Sequence, residues 1–139
     1  MGDTPWGARS WAEAGHRLGA SVHDVLEAGH AFLVVSAARG RYVQLHAHPE
    51  GGCWIEADSG AYSRRLPDEV HRALLAIGWP PVDDTRRPST NYGLDVEAPV
   101  DVYRLVLFLT RTLAQAFEAS PEELGHVASA CRCEVSADD

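Results

Sequence analysis

The chain has 139 residues, of which 45% are hydrophobic. That is enough for one domain with a buried core and too little for two, since domains run to about 100–200 residues. Its 20 acidic residues outweigh 12 basic ones, all of them Arg, for a formal net charge of -8, which opposes nucleic acid and anionic membrane as partners because phosphate recognition needs a neutralising basic surface.

Three cysteines, Cys53, Cys131 and Cys133, make an odd number in a chain too long to depend on disulfide staples. The opening residues carry no apolar leader, and the longest strongly apolar run, residues 105–109, is far short of the ~20 residues that a membrane-spanning helix requires. A cytoplasmic protein is expected, one domain with its core at about residues 10–130 and a tail over 131–139.

In chain order, Ser10 and Glu13 have the spacing of a capping box, in which the hydroxyl accepts an N-terminal amide and the carboxylate reaches back to the Ser10 amide. Trp11, Ala14, Leu18, Val22, Val25 and Gly29 then recur at three- and four-residue steps and collect on one stripe of a helix. Gly15 and Gly19 inside it each cost about 1 kcal/mol relative to Ala, so this helix depends on docking more than on propensity. Strands are expected at residues 32–36, 42–48 and 53–58, with turns at 39–40 and 49–52, as an antiparallel meander. Leu66-Pro67-Asp68-Glu69 opens a second helix with Pro at its first position and the apolar face Val70, Leu74 and Ile77. Gly78 and then Pro80-Pro81 stop it.

Residues 80–90 read as polar loop, and Tyr92, Leu94 and Val96 alternate as a fourth strand. Pro99 opens the longest helix, to about residue 119. Val102, Leu105, Val106, Leu109, Leu113, Ala116 and Phe117 lie on one face, and Tyr103, Leu107 and Phe108 make the apolar surface wider than one contact needs. Ser120 and Glu123 repeat the capping-box spacing for a short helix ending near residue 130.

The best enzyme signal is His46-x-His48, because residues two apart on a strand point the same way and can chelate one metal. A third ligand depends on the hairpin register. With a turn at 49–52, His48 lies opposite Cys53; a bulge sets His46 opposite Glu56 instead. His126, Cys131 and Cys133 form a second cluster without the spacing of a zinc knuckle, and their ordinary reading is tail thiols. No nucleophile elbow, phosphate loop or dinucleotide fingerprint is present. The expectation is no catalytic centre, no resident metal and no cofactor.

Tyr42-Val43-Gln44-Leu45 on a strand, Glu56 on the next, Leu74-x-x-Ile77-Gly78-Trp79 followed by prolines, Asn91-Tyr92 and a long aliphatic helix resemble, in that order, the YbjN and type III secretion chaperone-like families. The resemblance is to their actinobacterial branch of peptide-binding chaperones in particular, and it covers roughly residues 30–118. One departure is Asp58-Ser59-Gly60-Ala61-Tyr62 where such relatives often carry Asn after the strand Glu.

The resemblance implies an α+β fold with a leading helix, an antiparallel sheet of about four strands and two to three further helices packed on it. It also implies a homodimer that holds a client polypeptide in extended form without turning it over. Gln44, Trp54, Glu56, Tyr62, Trp79, Asn91 and Tyr92 are the candidate peptide-binding residues. The ordinary reading of the aromatic ones is core packing, since aromatic residues at strand and helix ends are usually buried, and Gln44 and Glu56 on adjacent strands could instead satisfy each other. The negative field favours basic clients. Two other readings stand beside this one: an adaptor subunit of a peptide-modifying or secretion complex, contacted through the wide face of the long helix, and a metal-dependent enzyme using His46 and His48.

Overall fold

A computed structural model describes residues 4–29, 31–61, 65–82 and 91–130. The elements run β1 (Thr4–Pro5), α1 (Trp11–Ala28), β2 (Ala31–Ser36), β3 (Tyr42–Ala47), β4 (Cys53–Ala57), α2 (Asp68–Ile77), β5 (Tyr92–Val96), α3 (Val102–Arg111) and β6 (Gly125–Ala130). The architecture is α+β, with one antiparallel sheet in the order β1-β6-β2-β3-β4-β5.

The start of α1 follows its cap chemistry. Glu13 N donates to Ser10 Oγ at 3.1 Å, while the Glu13 carboxylate accepts from Arg9 N at 2.8 Å, one residue earlier than the Ser10 amide expected. Ala14, Leu18, Val22 and Val25 are buried and pack toward β2, β3 and β6. Gly29 caps the helix in the left-handed region at φ 77, and so ends the stripe instead of extending it. Gly15 and Gly19 mark the crossing with α3, where an added Cβ would meet Val106 at 3.9 and 3.8 Å.

Helix α2 takes Pro67 as its N-cap and buries Leu74, and the Gly78 N–H returns to Leu74 O. Helix α3 starts after the expected Pro99, because Asp101 caps it by accepting from Arg104 N at 3.2 Å. Past Arg111 the coil widens into a π-type turn over Thr112–Ala116.

Two strands escaped the sequence reading, so among the described residues the sheet has six strands where about four were expected. β1 is two residues long, too short for any period to register. β6 replaces most of the short helix expected after Ser120. The capping box forms as its spacing predicts, yet it closes only a single 3₁₀ turn over Pro121–Glu123. The chain then zips antiparallel to β2, Val127 opposite Val34 and Gly125 opposite Ser36. Tertiary pairing wins because the strand satisfies the backbone groups along that side of β2, which a helix there would leave without ladder partners.

The hairpin between β3 and β4 has a register that neither expectation contained: His46 faces Trp54 and Ala47 faces Cys53. Gly52 continues the ladder by accepting from His48 N at 3.0 Å, which shortens the connection to residues 49–51. Only glycine fits there, with φ 81 and a would-be Cβ 2.6 Å from Val96 O.

Alternation then sorts the sheet into two faces. Leu33, Val35, Val43, Leu45, Cys53, Ile55 and Ala57 are buried under the helices, which share that side of the sheet. The alternate residues Phe32, Val34, Tyr42, Gln44, His46, Trp54 and Glu56 form the opposite face. Among the described residues it carries no helix.

Candidate functional site

The helix-free face is built in cross-strand rows. Phe32, His46, Trp54 and Asp95 stand side by side across β2, β3, β4 and β5, and next to them run Val34, Gln44, Glu56 and Gly93. The centre is the Glu56 carboxylate. Its Oε1 accepts from Gln44 Nε2 at 2.8 Å and from Asn91 Nδ2 at 3.1 Å, and its Oε2 accepts from Trp54 Nε1 at 2.6 Å. Asn91 Nδ2 also donates to the Tyr42 hydroxyl at 3.0 Å, while Asn91 Oδ1 accepts from the Ser59 amide and hydroxyl at 3.2 Å each.

Three donors on one carboxylate tie Gln44, Trp54 and Asn91 to a single acceptor and hold each in one rotamer. The Trp54 indole lies flat over Gly93, where a Cβ would overlap its ring. Trp54 is only 8% exposed. Beside it, His48 Nε2 and Asp95 Oδ1 are 3.1 Å apart. At the other end of the face, the fully buried Asp58 accepts from Gly60 N at 2.8 Å, with Arg41 Nη1 at 3.6 Å.

Of the seven residues singled out from the sequence, Gln44, Trp54, Glu56 and Asn91 come together here, and of the two roles foreseen for Gln44 and Glu56 they adopt the mutual hydrogen bond. Trp79 and Tyr92 lie on the helix side. Trp79 is 2% exposed, donates to Thr112 Oγ1 at 2.9 Å and packs with its ring centroid 4.9 Å from that of Phe108, the planes tilted by 44°. The Tyr92 hydroxyl sits 2.7 Å from His71 Nδ1. Both are spent on internal contacts, so neither offers a client the anchor surface that the sequence suggested. Tyr62, Cys131 and Cys133 lie outside the described residues.

The register also separates the metal ligands that the sequence juxtaposed. His46 and His48 are on the helix-free face and Cys53 is on the buried one. Glu56 is already engaged by three donors. Among the described residues no group of three or more His, Cys, Asp or Glu side chains could hold a metal ion. Burial pushes the Cys53 thiol up to about 11, and the Asp95 carboxylate adds to that, so the nucleophilic thiolate is scarce near neutrality.

A second concavity, of about 670 Å³, lies where the segment before α1 meets α1 and β6. Trp6, Arg9, Glu13, His16, Arg17 and His126 are among the residues lining it. It adjoins a smaller one of about 180 Å³, lined mainly by Val25, Ala28, Ala31 and Ala128, with Asp24 and Ser21 at the rim; Ser21 and His126 belong to both. Sequence reasoning singled out His126 with Cys131 and Cys133 and missed its grouping here, because only the pairing of β1 with β6 brings Trp6 to His126, whose Nδ1 accepts the indole N–H.

Residues 6–130 match the family model TY-Chap3, described as T3SS (YopN, CesT) and YbjN peptide-binding chaperone 3. The chain belongs to the TY-Chap3 family. The match takes in every strand except β1, all three helices and both concavities. Comparison with the curated proteins and with the solved structures returns no match. TY-Chap3 is a family of peptide-binding chaperones, so a polypeptide is the class of partner to which membership points. No helix among the described residues is long and apolar enough to cross a membrane.

Proposed function

We propose that this TY-Chap3 protein is a non-enzymatic cytoplasmic escort that holds an extended client polypeptide against its sheet. The supporting observation is the helix-free face, on which the Glu56 carboxylate locks Gln44, Trp54 and Asn91 into a fixed polar and aromatic platform. A rigid platform costs little ordering entropy when it binds, and an extended chain running along a sheet presents alternate side chains to it. A second reading has a separate observation behind it. Helix α3 exposes Tyr103 at 73% and Leu107 at 46%, one helical turn apart, and such a pair suits contact with a folded partner, either a second copy or the main subunit of a larger complex.

Thermal unfolding in the presence of candidate partners separates these readings, because whatever binds the native state raises its Tm by mass action. The escort reading expects a panel of unstructured peptides to raise Tm, and a folded Trp54→Ala variant to lose about tenfold in peptide affinity. Stabilisation by a folded protein alone would replace it with the adaptor reading, and unchanged affinity in Trp54→Ala would take the platform out of the client site.

A further inference from the structure

We infer that the paired concavities between α1 and β6 form an anchor site for an acidic side chain of the client, followed by a small aliphatic one. This rests on the escort reading and specifies the client's chemistry. The chain as a whole carries a net charge of -8, yet Arg9, His16 and Arg17 converge on the larger cavity. Neither guanidinium has a carboxylate partner among the described residues. Glu13, the acidic side chain of this lining, accepts from Arg9 N through its Oε1 at the helix cap, so two guanidinium charges stand against one carboxylate in the lining.

His126 adds a donor. Its Nδ1 accepts the Trp6 indole N–H, which leaves the proton of the neutral ring on Nε2. The volume of about 670 Å³ lies in the usual range for ligand sites, about 300–1,000 Å³. The smaller cavity supplies Val25, Ala28, Ala31 and Ala128 as an apolar floor, and Asp24 at its rim repels a second acid there. An acidic residue in the large cavity with an aliphatic neighbour in the small one satisfies both linings. The negative field, from which basic clients were expected, acts at long range; the arginines act at contact, where partners are chosen.

The test uses acetylated, amidated heptapeptide mixtures with outer positions randomised among Ala, Val, Ser, Thr and Leu, and a central Glu, Gln or Lys. The Glu mixture should bind about tenfold more tightly than the Lys mixture at low salt, the gap should narrow as salt screens it, and Arg9→Gln/Arg17→Gln should erase it. Glu and Lys mixtures binding alike, or a Glu preference that survives the double substitution, would overturn this site while leaving the escort reading intact. Failure of all three mixtures to bind would overturn both.

Discussion

Gly93 is occupied by glycine for a reason that lies on another strand: the Trp54 ring covers it, and a side chain there would overlap the indole. Gly93→Ala should therefore tip Trp54 off its seat and break its bond to Glu56, costing about 1–3 kcal/mol, read as a lower urea midpoint. An unchanged midpoint would mean that the ring has room to move and that the platform is looser than its hydrogen bonds suggest. In the sequence, Gln44 and Glu56 were legible as partners because they sit on consecutive strands of a hairpin. Asn91 and Gly93 were not legible as their neighbours, since only the pairing of β4 with β5 brings Glu56 opposite Gly93. Trp79 takes the ordinary reading of an aromatic at a helix end, core packing, and what the sequence did not show is its partner: Thr112 in the π-type turn accepts its N–H inside the core.

Helix α1 was placed by its cap and stripe, and its two internal glycines read as weaknesses. Docking supplies what propensity lacks: both glycines face Val106 of α3, with room for a methyl group at ordinary van der Waals distance, 3.8 Å at Gly19. Gly19→Ala should raise stability by about 0.5–1 kcal/mol, the helix-propensity gain with a new contact in place of a clash, and differential scanning calorimetry would show it as a higher Tm. A lower Tm would show that the crossing of α1 and α3 needs the glycine. The segment after Ser120 teaches the complementary lesson, since a correct cap signal gave the wrong element. A capping box specifies only a first turn, and the unpaired side of β2 decided that the chain beyond that turn became a strand.

At the scale of the whole molecule, burial couples stability to pH on the alkaline side. The Cys53 thiol, raised from 9.0 to about 11 by burial and Asp95, and the Tyr92 hydroxyl, raised by burial, both stay protonated longer in the folded state than in the unfolded one. A raised folded pKa gives stability that is fully present below the unfolded value and is lost as pH rises through the folded one. The urea midpoint should hold from neutrality to about pH 9 and then fall. Cys53 accounts for up to about 2–3 kcal/mol of that loss, and Cys53→Ala should flatten the fall. An equally steep decline in that variant would assign the effect to other groups.

The sequence by itself determined the α+β class, the positions of α1, α2 and α3, four of the six strands among the described residues and the family resemblance, because each rests on local periodicity, caps and motif order. Only the tertiary structure decided the hairpin register, the two strands at the far edge of the sheet, which face each aromatic occupies, and the meeting of Arg9 and Arg17 with His126. These depend on pairing between residues far apart in the chain, and no local pattern encodes that. β1 meets β6 across some 120 residues, and without that pairing the basic cavity would not exist.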